Sequence, residues 1–407
     1  MLAETGLRKS SGWGLGYLLI STLAGCLWAS PVLAENQVAD FLQQHWQRPL
    51  LPQGDRPEGY SDVEASLSPE ACGTCHAEQL ADWSSSMHSK AMGPGLMGQL
   101  VTMAPHARSE QQACLSCHAP LAEQADSLVD ELKTGDGSGL HRQGLVCAAC
   151  HVRRHKRFGP ARKDGSVPAI DQKLPHDGWV VTNAFQDSRF CAACHQFDES
   201  GFALNGKLLE NTYEEWRQSR YADAGVSCQQ CHMPGRRHQW RGIHDPEMVR
   251  SGVSIEVTDI TQAGTELRGQ MAMTNTGIGH RFPTYVTPQV VMQGYQQSAA
   301  GELLPGTDSY FVVARRVALD LSAEIFDTRL APDQTARLDY QLPRHPMAKM
   351  LVFRIWVEPD TFYQQFFTSR LQHAPPGPAT DMLQSALQAA AESRFTLFEQ
   401  RLALPYE

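Results

Sequence analysis

Ten of the eleven cysteines fall in five units of one form, two cysteines three positions apart with a histidine directly after the second. They are Cys72, Cys75 and His76; Cys114, Cys117 and His118; Cys147, Cys150 and His151; Cys191, Cys194 and His195; and Cys228, Cys231 and His232. Two thiols so spaced lie on one turn of backbone and can add to the two vinyl groups of one haem, while the adjacent imidazole reaches the iron as proximal ligand. Zinc and disulfides also use paired cysteines, but neither calls for a histidine after every second one. At this composition a given cysteine starts such a unit on the order of once in a thousand. The reading is five covalently bound haem c groups, and it leaves no sulfur of these units for a structural disulfide.

Sixteen histidines less the five proximal ones leave eleven, enough to give each iron a second histidine. His88 follows His76 by twelve residues, with Trp83 between to wall a porphyrin. His238 and His244 lie across the Gly235-Arg236-Arg237 turn after the fifth unit, and His141 and His176 lie ahead of or between units. His280 occupies a turn, Asn275 to Thr284, in a later part of the chain that would have to dock back onto the haem region. These six are the distal candidates. His45, His106, His345 and His373 read as ordinary surface residues, and His155 stands in a basic run, Arg153 to Arg157, that would face propionates or solvent.

The elements that must position these groups point to an α+β fold. A stretch over 35–67 carrying Pro49, Pro52 and Pro57 reads as an extended lead-in. A haem-rich, mostly helical and loop region follows over 68–250. Ser68 before Pro69 and Glu70 caps one helix; Ser109 and Glu110 open another that runs to Leu132 and stops at Gly135; Thr212 with Glu215 makes a capping box. Trp83-Ser84-Ser85-Ser86-Met87-His88 is echoed by Trp216-Arg217-Gln218-Ser219-Arg220-Tyr221, as if a haem unit were duplicated and the second copy took its ligand elsewhere. Over 251–375 the pattern becomes alternation, as in Val253/Ile255/Val257, Leu338/Tyr340/Leu342 and Leu351/Phe353/Ile355, with Gly and Pro turns: a β-sandwich-like region. The end, 376–407, reads as an amphipathic helix.

Arg8 and Lys9 precede a short apolar run over 15–28, the form of a secretory signal. Residues 1–34 are the expected signal peptide, ending at Val32-Leu33-Ala34, or a lipoprotein signal ending before Cys26, which would then be lipid-anchored. Periplasm or cell surface is the expected location. The formal charge of −9 argues against nucleic acid as a partner.

The chain resembles the multihaem c-type cytochrome family of the cytochrome c-552/c-554 kind, related to the haem domains of nitrite and hydroxylamine oxidoreductases. The resemblance lies in 72–88 with its W-x-x-S-x-H tail, 144–153, 211–216, 228–234 with C-H-M-P, and 279–284, pieces spread over about half of the chain. Pentahaem nitrite reductases carry one C-x-x-C-K unit whose lysine leaves an open catalytic iron, whereas all five units here end in histidine. The resemblance therefore implies haem attachment and leaves catalysis open.

An iron with two histidines has no vacant position and passes single electrons. Five such centres in a short span would form a wire between a redox protein donor and an acceptor, a membrane-bound respiratory complex among the partners to expect. The alternative is an oxidoreductase acting on a small nitrogen or sulfur compound at one five-coordinate haem. Stacking into a filament is a third possibility, and the sequence leaves the oligomeric state open.

Overall fold

The computed structural model describes residues 31–404 except 105–106, 135–136 and 170. Residues 1–30 of the expected signal segment, Cys26 among them, and His106 and Gly135 lie outside the described residues.

The haem-motif region consists of short helices joined by long loops. Its two small apolar clusters centre on Leu121, Val146 and Ala149, and on Met97, Leu100 and Leu128. Ser68 caps the helix Pro69–Gly73, its Oγ accepting from the Ala71 N–H. The helix expected from Ser109 to Leu132 is two, Arg108–His118 and Ala122–Thr134. Pro120 explains the break, since the residue before a proline is driven from helical geometry and Ala119 has φ −155° and ψ 72°.

The lead-in also departs from expectation. It opens as a helix, Pro31–His45, whose Phe41, Leu42 and His45 pack inward, Phe41 and His45 against Phe158 and Phe185; the three prolines all follow it. Aromatic burial outweighs the weak local signal.

From Val253 onward two antiparallel sheets face each other. One is built from β1 (Val253–Val257), β2 (Thr261–Ala263), β3 (Glu266–Asn275) and β7 (Thr335–Pro343), in the order β7-β3-β1 with β2 also on β3. The other contains β4 (Gln289–Gln297), β5 (Ser309–Val317), β6 (Glu324–Asp327), β8 (Met350–Glu358) and β9 (Phe395–Ala403), in the order β6-β5-β4-β8-β9. Alternate residues Met271, Met273, Val290, Met292, Tyr340, Leu351, Phe353 and Ile355 form the core between them. The sheets approach so closely at Gly294 that a Cβ there would stand 2.8 Å from Tyr340 of the facing sheet, and 3.1 Å from Phe353 beside it on β8 of its own.

The chain's end is not one helix. Helices Thr361–Leu371 and Pro378–Glu392 precede β9, which pairs along β8 because Phe395 and Leu397 alternate inward. The helix Pro378–Glu392 packs instead on helix Pro94–Leu100 of the haem-motif region, where Gly98 meets Leu383.

The two regions are bolted together by polar groups. Thr212 and Glu215 make no capping box: the Thr212 hydroxyl bonds to that of Thr284 at 2.6 Å, and Glu215 accepts from the Arg281 N–H and from Arg329. Arg315 is fully buried and donates to the carbonyls of Leu204, Lys207 and Leu208 while pairing with Glu324 at 2.9 Å.

Candidate metal centres

Each cysteine pair sits on a helical turn, which turns both sulfurs to one side. The third and fifth units are the helices Cys147–His151 and Cys228–His232, the fourth closes Arg189–His195, and the second closes Arg108–His118. In the first, Cys72 lies in Pro69–Gly73 and His76 opens Ala77–Ser85. Sulfurs of different units touch: Cys72 meets Cys147, Cys117 meets Cys194, and Cys191 meets Cys228. Unit one therefore abuts three, and unit four abuts both two and five.

The histidines after these pairs are held by one nitrogen. Nδ1 of His118 bonds the Ala91 carbonyl at 2.7 Å, that of His151 the Phe158 carbonyl at 2.8 Å, and that of His232 the Arg241 carbonyl at 2.6 Å. A carbonyl only accepts, so Nδ1 carries the proton and Nε2 keeps a free lone pair, the tautomer a metal ligand needs. His195 differs, with Nδ1 2.5 Å from the Tyr285 hydroxyl.

Three of these rings face a second histidine. His195 and His88 stand with centres 6.3 Å apart, His151 and His238 6.2 Å apart, and His232 and His280 6.3 Å apart. An imidazole nitrogen bonds a metal at about 2.0 Å and lies about 1.1 Å from its ring centre, so rings on opposite sides of one iron stand about 6.2 Å apart. The residues fit haem iron between them. His238 and His280 also fix Nδ1 on carbonyls, of Arg236 and Arg281. Burial lowers these rings' proton affinity, to about 3 for His88 and about 4 for His151 and His280, so they are neutral at pH 7 as ligation requires.

His176 fixes Nδ1 on the Gly178 carbonyl at 2.9 Å and lies close enough to His76 to lower its pKa, second to burial. Two other distal candidates meet acids. His141 is fully buried with Nδ1 on Ser127 at 3.0 Å and Nε2 2.9 Å from Glu131, an ion-pair contact that is not a hydrogen bond. His244 spends Nε2 on Asp360 at 2.9 Å.

His45, expected at the surface, is buried, bonds the Cys150 carbonyl through Nε2 at 2.8 Å and stacks on Phe41. His155 is buried too, and its basic neighbours serve the protein itself: Arg153 donates to the carbonyls of His45 and Ala149, and Arg157 to those of His155 and Glu64. Sequence reasoning missed Tyr285, Arg48, Asp82 and Trp240. Trp240 contacts both His88 at 4.6 Å and His238 at 5.3 Å, and only its nearness to His238 in the chain could have drawn notice.

The echoed segments share geometry. Trp83 donates its indole N–H to the Leu145 carbonyl and Trp216 to that of Val226, each two residues before the first cysteine of a unit. Ser86 and Ser219 likewise bond back to their tryptophan's carbonyl at 2.7 Å. Gly144, at φ +68°, lets the chain pass under His88, where a Cβ would come within 2.5 Å of the His88 carbonyl.

Residues 71–152 match the family described as cytochrome c554 and c-prime. The whole fold is similar to that of a penta-heme cytochrome c552 from Thermochromatium tepidum, with 18% identity, a TM-score of 0.59, and coverage of 84% of this chain and 100% of that one. Both likenesses support a multihaem c-type cytochrome. No curated protein matches the chain. The matched stretch spans the first three binding units and the Trp83 to His88 segment, and the match supports covalently bound haem c. Among the described residues no helix is long and apolar enough to cross a membrane.

Proposed function

We propose that this is an exported pentahaem cytochrome that carries single electrons along five covalently bound haems, most of them ligated by two histidines. The observation that carries the reading is the set of three histidine pairs at the separation one iron requires. The cysteine pairs would hold each haem by thioethers, and His76, His118, His151, His195 and His232 would be proximal ligands. His238 would complete the third centre, His88 the fourth, His280 the fifth and His176 the first. Haem so ligated supplies a reversible one-electron couple and no open position for bond chemistry.

The sulfur contacts support a compact route in which unit one leads to three and unit four joins two and five. Cys150 and Cys191, close enough for the one to raise the other's pKa, link three to four. Export fits the basic and apolar start of the chain and the need for haem attachment outside the cytoplasm. The acidic surface suits a redox protein partner rather than nucleic acid.

A second reading rests on the second unit. Among the described residues no histidine ring faces His118, while Tyr363 stands near Cys114 and Glu210, and Glu210 near Cys117. An open iron there would make the protein an oxidoreductase for a small nitrogen or sulfur compound. Electron paramagnetic resonance of the oxidised holoprotein, with intact mass, tests both. Five haems with at least four low-spin signals are expected; turnover of nitrite or hydroxylamine at a high-spin centre would favour the second reading, and fewer than five haems would overturn the first.

A further inference from the structure

The fourth unit combines three features that no other unit shows together among the described residues, each acting in one direction. Six candidate ligands, His118, His151, His232, His176, His238 and His280, donate Nδ1–H to a backbone carbonyl. Such a bond gives the ring partial imidazolate character, makes it a stronger donor and favours ferric iron. His195 has a tyrosine hydroxyl in that place, a weaker acceptor. His88, facing it, has none: its Nδ1 is buried without a hydrogen-bond partner. The ring is held instead by Trp240, whose plane is inclined 66° to it at 4.6 Å, an arrangement suited to an N–H directed at the indole face.

The third feature is a cation. Arg48 places Nη2 3.0 Å from Cys194 Sγ and Nη1 3.4 Å from Cys117 Sγ, and among the described residues no carboxylate pairs with it. A fixed positive charge at the attachment sulfur favours the reduced, less positive iron. The acids near Tyr285 do not cancel it. Burial pushes Glu210 up to about 8, so it is neutral at pH 7, and Glu215 is matched by Arg329.

We propose that the iron held between His195 and His88 has the highest reduction potential of the bis-histidine centres, so that the unit touching both the second and the fifth is where electrons collect, with Arg48 tuning it and Trp240 positioning His88. This rests on the ligation proposed above. Reduction there takes up one electron from the reductant and, with Glu210 already protonated, needs no proton.

The test is a stepwise reductive titration of the holoprotein followed by electron paramagnetic resonance. His88→Ala labels the centre by converting one low-spin signal to high-spin, and that signal is expected to be the first low-spin signal lost from the unmodified protein. Arg48→Gln should shift its oxidised-to-reduced ratio at fixed potential at least tenfold, about 59 mV for one electron, and Arg48→Lys should restore most of it. If His88→Ala fails to mature, Tyr285→Phe marks the same signal by a change in its g-values. A labelled signal lost after the other low-spin signals, or an Arg48→Gln ratio within twofold of the original, overturns the proposal alone. A His88→Ala protein that keeps every low-spin signal overturns the ligation as well.

Discussion

Asp82 grips Arg237 through both carboxylate oxygens, at 2.5 and 2.7 Å, and with one of them also accepts the backbone N–H of His238 at 2.9 Å. The carboxylate is buried on the helix that follows the first binding unit, while Arg237 and His238 follow the fifth. One acid thus fixes the chain that carries His238 toward His151. The Arg237 guanidinium holds its pKa below the usual aspartate value.

Asp82→Asn keeps an acceptor for the His238 N–H and loses the charge pair. It should lower stability by about 1–3 kcal/mol. Thermal unfolding reads that loss, and a small change in the g-values of a single low-spin centre is expected beside it. A change at several centres, or none, would separate Asp82 from His238.

His280 reaches the haem-motif region from the turn between β3 and β4, with its ring nearly parallel to that of His232, at 13°. His280→Ala should convert one low-spin centre to high-spin without loss of covalent haem, as read by magnetic circular dichroism and intact mass. His141→Ala and His244→Ala provide the contrast, because His141 bonds Ser127 and lies against Glu131 while His244 bonds Asp360. Both should leave the spin-state count unchanged. His141→Ala should still lower stability by about 1–3 kcal/mol, since it strips partners from a buried acid.

How much of this was legible depended on the range of the interaction involved. Haem attachment is local chemistry, written within five consecutive positions, and the sandwich strands are local alternation, so Leu351, Phe353 and Ile355 point inward as their spacing implies. The helix Pro31–His45 was not legible, because its reason for folding is the aromatic group around Phe158 and Phe185, more than a hundred residues away. Nor was the strand Phe395–Ala403, whose partner β8 is separated from it by two helices. Among the ligand candidates, chain position could not tell His238 from His244, six residues apart. What distinguishes them is the remote acid each meets, Asp82 holding the backbone of one and Asp360 occupying the ring of the other.

Arg329 joins the two regions, pairing with Glu215 at 3.1 Å and Asp327 at 2.9 Å while almost wholly buried. Removing one partner of such a cluster leaves the others charged and buried, so Arg329→Ala should cost about 3–5 kcal/mol. The pH dependence follows from Asp327. Burial alone would raise its pKa, but Arg329 and Lys207 outweigh that and hold it well below 3.8. A depressed carboxylate adds stability that is complete above its unfolded value and is lost as pH falls through the folded one. Stability should therefore decline below about pH 4, and less steeply in Asp327→Asn, as denaturant midpoints at graded pH would show.

The paired tryptophans give the last expectation. Trp83 and Trp216 each tie a helix to the carbonyl two residues before a cysteine pair, the third and the fifth, by bonds of 2.8 and 2.9 Å. Replacing either by Phe keeps much of the apolar wall and leaves one carbonyl without its donor, a loss of about 1 kcal/mol. The two sites share no partner, so the double substitution should lose about the sum, within roughly 0.5 kcal/mol. Each single change should perturb the spectrum of a different centre, that of His151 for Trp83→Phe and that of His232 for Trp216→Phe. If both perturbed the same centre, or if the losses were strongly non-additive, the segments would be parts of one site rather than two copies of one device.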